Sequence, residues 1–247
     1  MSEPVEVKES RFGRLWIALG LGLAFVAGAW CQAQGFFEFA LDYPGEIWRL
    51  TKQHIWLVST AGSIAICVGI PIGILVTRGF MRRYKEVTLN LLGICQTVPS
   101  LAIIAIAMGF MGIGTKTAIF GLVVYSILPI IRNTAAGLAE VDPVLLDAGR
   151  GMGMTPWQVL LKVEIPNALY IILAGIRTSL VVTVGTAAVA FLIGGGGLGD
   201  LIFTGIGLVD TGIMLAGAIP TAILAIFINW LLGNLEKLIL SKGLIKD

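Results

Sequence analysis

The sequence predicts an all-α, polytopic helix bundle that crosses a membrane about six times. Three observations carry that expectation. Hydrophobic residues make up 57% of the 247 and charged residues 13%, with a mean hydropathy of +0.92; a soluble domain carries about 25% charged residues. Six apolar stretches reach or approach the length of about 20 residues that a spanning helix needs: 15–32, 55–77, 89–111, 117–131, 168–193 and 213–235. Thirty-two glycines and nine prolines suit membrane helices, which tolerate both better than soluble helices do. These 247 residues are nearly used up by spans and short loops, so no separate catalytic domain is expected within them.

In chain order, residues 1–14 read as a solvated cytoplasmic tail with alternating charge at Lys8, Glu9 and Arg11. Basic residues ahead of the apolar run 15–32 invite a signal-peptide reading. A lipoprotein-type cut before Cys31 needs a small residue at position 30, where Trp30 stands, so the first span is expected to be retained. The second to fourth spans contain Pro71, Pro99 and Pro129, and the sixth contains Pro220. Breaks of this kind survive in lipid only where protein or a water-filled path satisfies the freed backbone groups. Four of them favour a transport path, with simple packing kinks as the alternative. The fourth span, at 15 residues, would cross only with help from its flanks. Residues 241–247 form a second cytoplasmic tail. Cys31, Cys67 and Cys95 lie in or beside apolar runs and read as packing residues. His54 is the one histidine and builds no metal site alone.

Lysine and arginine placement orients the bundle. With the N-terminus inside, the cytoplasmic segments hold Lys8, Arg11, Arg14, Arg78, Arg82, Arg83, Lys85, Arg132, Arg150, Lys162, Lys237, Lys242 and Lys246. The outer loops hold only Arg49, Lys52 and Lys116, and Arg177 falls inside a span. The imbalance puts both termini in the cytoplasm. The net charge of +2 is dispersed among loops and gives no nucleic-acid surface.

Two glycine strings imitate nucleotide sites. Gly109 to Thr117 resembles G-x-x-x-x-G-K-[ST], but Thr115 intervenes between Gly114 and Lys116 and pushes the lysine out of register. It reads as a tight outer turn. Gly194 to Gly199 matches G-x-G-x-x-G, yet a dinucleotide fold needs a preceding strand. The apolar run before it, 168–193, is far too long for one. The string reads as a flexible, closely packed outer end of the fifth span. Every Asp and Glu is assigned to loops or tails, and no acid, histidine or serine constellation offers enzyme chemistry.

The longest polar interruption, 132–166, carries two helix starts. Asp142-Pro143 supplies an N-cap acceptor and a proline at N1; Thr155-Pro156-Trp157-Gln158 supplies a capping box. Gly149-Arg-Gly151-Met-Gly153 breaks the chain between them. Trp157, Val159, Leu160 and Leu161 are too apolar for a solvated loop, so they dock a soluble partner or pack back onto the bundle.

Here a resemblance becomes specific. Asp147, Ala148 and Gly149, then Gly153, then Val163, Ile165 and Pro166 follow the spacing of the EAA loop of ABC-importer permeases, E-A-A-x3-G-x9-I-x-L-P. The departures are Asp for Glu, Gly for the second Ala, Val for Ile and Ile for Leu. The likeness extends through Gln96–Ser100, Leu128–Thr134, Gly175–Arg177, Ile193–Asp200 and Leu215–Pro220, about residues 50–240. Within the family the chain is most similar to permeases for osmoprotectants and other quaternary amines such as glycine betaine, carnitine or choline.

That resemblance implies a type I importer permease fold in a bacterial inner membrane. It also implies a second permease subunit, identical or homologous, to complete the pore, and cytoplasmic ATP-binding subunits gripping the loop. A solute-binding protein would deliver cargo from outside. The chain itself would bind no cofactor; ATP and Mg would sit on the partner ATPase. Arg177, some 16 Å beyond Pro166 at about 1.5 Å per residue, is expected to serve structure or gating by pairing with backbone carbonyls or the neighbouring subunit, with snorkelling to the cytoplasmic side or direct substrate contact as the alternatives. Pro99 and Pro129 are likewise candidates for a structural or gating role. The alternatives are a permease of the same superfamily for an amino acid or other small solute, a membrane-embedded enzyme, or an ion-coupled carrier.

Overall fold

The computed structural model describes residues 20, 22, 25, 26, 28, 35 and 38–239. The two tails, 1–14 and 241–247, and nearly all of the expected first span lie outside them. Among the described residues every regular element is helical. In order they are α1 (Glu38–Asp42), α2 (Pro44–Val76), a 3-10 turn (Gly79–Tyr84), α3 (Lys85–Cys95), α4 (Ser100–Met111) and α5 (Thr115–Ala139). Then come α6 (Pro143–Gly151), α7 (Pro156–Val159), a π segment (Leu160–Glu164), α8 (Ile165–Ala187), a 3-10 turn (Ala188–Ile193), α9 (Gly199–Leu208) and α10 (Thr211–Ile239). Four runs are long and apolar enough to cross a membrane: Pro44–Val76, Thr115–Ala139, Pro156–Ile193 and Thr211–Ile239.

The second, third and fourth spans differ from their sequence outline, and the fifth and sixth run longer than theirs, over Pro156–Ile193 and Thr211–Ile239. The second begins at Pro44 rather than 55, because a charged first turn with Glu46 and Arg49 precedes the apolar run without interrupting the helix. The third, expected at 89–111, is two helices. Pro99 disfavours helical geometry at Val98, so the chain turns over 96–99 and restarts with Pro99 as N-cap of α4. The fourth, expected at 117–131, is a 25-residue helix. Arg132 and Asn133 end the apolar run but not the helix, so the polar loop expected from 132 starts at Glu140.

Helix α5 is the hub, packed on α2 along one side and α8 along the other. Small residues let these backbones approach, as membrane helix interfaces require. A Cβ at Gly69 would lie 2.9 Å from Ile130 Cγ2, and one at Gly175 would lie 3.0 Å from Asn133 Cγ. Leu57, Val58 and Ala61 of α2 meet Leu122 of α5 and Val184 and Ala187 of α8 in the central core. At one end Leu138, Val141, Leu160, Ala168 and Ile172 tie the short helices to the bundle.

At the other end Leu50, Leu198, Leu201 and Ala216 join α2, α9 and α10. The glycine string is clamped there by two side chains of α2. The Leu198 N–H donates to His54 Nδ1 at 3.3 Å, which leaves His54 Nε2 to donate to the Val184 carbonyl at 2.9 Å. Gln53 accepts from Gly197 N–H at 3.2 Å. Gly195 and Gly199 lie against the Ala190 and Ala188 carbonyls, so the string is closely packed and fastened. The other string forms a short link at 112–114, with Gly114 N–H donating to the Ile193 carbonyl at 2.7 Å.

Candidate functional site

The segment between α5 and α8 folds as its local signals dictate. Asp142 caps α6 by accepting from Val144 N–H at 2.8 Å, with Pro143 at N1. Thr155 and Gln158 form a reciprocal capping box at the start of α7. Between them Gly153 turns the chain at φ +80, a conformation that L side chains rarely adopt, and a Cβ there would meet open space. Asp147 and Ala148 are exposed on α6, and Asp147 accepts from Arg150 at 3.0 Å. Gly149 is buried against Val163, Met154 and Val159. The apolar residues of this segment divide: Val159 and Leu160 are buried in the bundle, whereas Trp157 is 66% exposed and Met152 70%. Val144, Leu145 and Leu161 extend the exposed apolar face.

Val163, Ile165 and Pro166 are half-buried where α7 runs into α8. Pro166 has no N–H to give the Lys162 carbonyl, and the helix widens just before it. Ile165 N–H reaches back five residues to the Leu160 carbonyl, a π turn. Glu164 lies within that turn and forms a two-pronged ion pair with Arg78, two residues past the end of α2; the Nη1–Oε1 distance is 3.0 Å. The carboxylate side chain is 7% exposed. The sequence places Glu164 in a loop; the fold buries it and makes it the fastening between the short helices and the end of α2.

A polar groove opens on the opposite flank of α5. Gln96 from the break between α3 and α4, Tyr125, Pro129, Arg132 and Asn133 from α5, and Thr178 and Val182 from α8 line a cavity of about 540 Å³. Along α8 it continues into two further hollows that share Tyr170, Arg177, Asn229 and Glu236. Of the two prolines singled out in the sequence, Pro129 lies on the groove wall and Pro99 creates the break that brings Gln96 to it.

Arg177 requires a correction. The sequence offered no acidic partner at its depth, because the sixth apolar run stops at 235. Helix α10 continues to Ile239, which carries Glu236 to 3.6 Å from Arg177 Nη1. Asn229 accepts from Arg177 Nε at 2.7 Å. The guanidinium lies against Gly233, where a Cβ would sit 3.3 Å away. Arg177 thus ties α8 to α10 within the chain.

A multi-pass helical bundle with a polar groove and a projecting pair of capped helices is the build of a membrane permease. The chain belongs to the family of binding-protein-dependent transport system inner membrane components, whose model matches residues 69–241. It is 46% identical over 186 residues to a carnitine transport permease of Listeria monocytogenes, covering 75% of this chain and 84% of that one. A glycine betaine/carnitine/choline transport system permease of Bacillus subtilis is 42% identical, with 81% and 91% covered. An osmoprotectant import permease of Salmonella typhimurium is 41% identical, with 84% and 98% covered. In fold the chain is similar to the MetNI methionine ABC transporter in inward-facing form, with a TM-score of 0.68 at 24% identity, covering 78% of this chain and 95% of that one. It is a multi-pass inner-membrane protein of the ABC-importer permease class.

Proposed function

We propose that this chain is the pore subunit of an ATP-driven, binding-protein-dependent importer of osmoprotectant quaternary amines such as glycine betaine, carnitine or choline. The observation that carries the reading is the segment 140–166. Two capped helices present an exposed apolar face at Val144, Met152 and Trp157, and behind it the π turn and the Arg78–Glu164 pair connect that face to α8 and α2. This arrangement suits a mechanical joint gripped by a separate ATPase subunit. Asp147, Ala148, Gly149 and Gly153 form the gripped part; Val163, Ile165 and Pro166 pass its movement to α8. ATP and Mg belong to the ATPase, and this chain does no chemistry. The substrate class follows the curated relatives.

The groove beside Tyr125 is this subunit's half of the translocation path, completed by a second permease, identical or homologous. Binding of ATP can change access to it only if the ATPases contact the two pore conformations with different energy. By reciprocity a loaded binding protein outside then promotes ATPase closure inside. Both termini and the 140–166 segment face the cytoplasm, and Asp210 faces outward.

Site-directed cross-linking tests the arrangement in the assembled complex, with the three native cysteines replaced. A cysteine at Trp157 should cross-link to the ATPase subunit and one at Asp210 to the binding protein. Cross-linking of the Asp210 position to the ATPase would invert the topology and end the proposal.

A further inference from the structure

The groove wall carries an unbalanced charge. Arg78, Arg150 and Arg177 are each paired with an acid of this chain. Arg132 opens onto the 540 Å³ cavity, and no carboxylate of the described residues is recorded in an ion pair with it. It lies seven residues from the end of α5, about 10 Å in from that end at 1.5 Å per residue. An arginine that is open to the cavity and has no acid of the described residues beside it leaves its guanidinium free to receive an anionic group that enters there.

Tyr125 stands seven residues earlier on the same helix. Seven residues are nearly two turns, so both side chains share one face, with Pro129 between them. Helical side chains lean toward the helix N-terminus, which inclines the Arg132 guanidinium toward Tyr125. The Tyr125 end of the cavity therefore offers an aromatic ring, attractive to a quaternary ammonium that cannot donate a hydrogen bond. The Arg132 end offers a fork suited to a carboxylate.

Resting on the permease reading above, we propose that Tyr125 and Arg132 form a transient site for a zwitterion, a quaternary ammonium bearing a carboxylate. The site prefers glycine betaine or carnitine over choline, which has the ammonium but no carboxylate. It lies in the path itself and discriminates without the binding protein.

The test is ligand binding to the complete permease–ATPase complex in nanodiscs, with no binding protein present, using glycine betaine and choline as probes. The wild type should bind glycine betaine about tenfold more tightly than choline, the worth of one charge-assisted contact. Arg132→Gln should bring the two affinities together by weakening glycine betaine alone, and Arg132→Lys should restore part of the gap. Tyr125→Leu should weaken both ligands, while Tyr125→Phe keeps both. Equal affinities in the wild type, an unchanged preference in Arg132→Gln, or no saturable binding would each overturn the site. If Arg132→Gln weakened both ligands equally, the arginine would be serving a lipid phosphate, which also overturns it. None of these outcomes touches the permease reading, which stands or falls on uptake with the binding protein present.

Discussion

Arg78 and Glu164 hold unequal positions in their ion pair: the arginine side chain is 38% exposed and the glutamate 7%. Truncation at the two ends should therefore differ. Arg78→Ala strands a carboxylate inside the joint and should cost about 3 kcal/mol of stability, the cost of orphaning a buried charge. Glu164→Gln leaves a guanidinium that reaches water and keeps an acceptor, and should cost distinctly less. Thermal unfolding of the purified complex reads the difference; equal losses would mean the burial of Glu164 is not what matters. Gly149 offers a change in the other direction. A Cβ there would stand 3.5–3.7 Å from Val163, Met154 and Val159, ordinary contact distances. Gly149→Ala should thus raise stability by up to about 1 kcal/mol, the helix-propensity gap between the two residues; a lowered unfolding temperature would show that the site has no room for the methyl group.

At this scale the sequence was readable wherever the physics is local. Asp142, Thr155 and Gln158 cap what they were expected to cap, because their partners are two or three residues away. The Arg78–Glu164 and Arg177–Glu236 pairs were missed, because their members are brought together only by the packing of distant helices. The surplus acid near Arg177 was hidden by a span boundary drawn where the apolar run stopped.

Among elements, the turn at Gly153 carries the proposed coupling. Gly153 and Gly112 make a matched pair, since their φ values are +80 and +76 and a Cβ at either meets open space. Valine at each imposes the same kind of strain, on the order of 1–2 kcal/mol for a residue forced to positive φ. Only one of the two turns lies where an ATPase is proposed to grip. Gly153→Val should lower uptake and binding-protein-stimulated ATP hydrolysis together at near-normal membrane abundance, and Gly112→Val should spare the ATPase response. Equal effects would reduce the loop to an ordinary turn.

Lys116 gives a further element-level expectation. It sits in the first turn of α5 beyond a two-glycine link, so Lys116→Ala should leave ATPase activity of the complex intact; a loss of nucleotide binding would show that the rejected phosphate loop is real. Element boundaries are legible where hydropathy and helix coincide, as at the start of α10, expected at 213 and found at Thr211. They were not legible where polar residues sit inside a span. Arg132 and Asn133 end the fourth apolar run, yet both stay in the helix and line the groove, where a cavity receives polar groups that lipid would not. Pro99 was legible as a disturbance; that it splits the third span into two helices depends on the turn over 96–99.

For the whole molecule, the two ends of the bundle are tied to opposite ends of one helix, α2. The end with α6 and α7 is joined to α2 through Arg78–Glu164, and the opposite end fastens its glycine string to α2 through His54 and Gln53. Helix α2 therefore contacts both the proposed ATPase joint and the proposed outer surface, and α5 lies between α2 and the groove. A movement imposed at one end has a continuous packed route to the other. The measurement that tests the central claim most directly is uptake of radiolabelled glycine betaine into proteoliposomes holding this chain with its partner permease and ATPase. With ATP supplied on the ATPase side and the binding protein on the other, the label should accumulate, and omitting either should abolish accumulation. Uptake that proceeds without ATP, or at full rate without the binding protein, would contradict the account and point instead to an ion-coupled carrier.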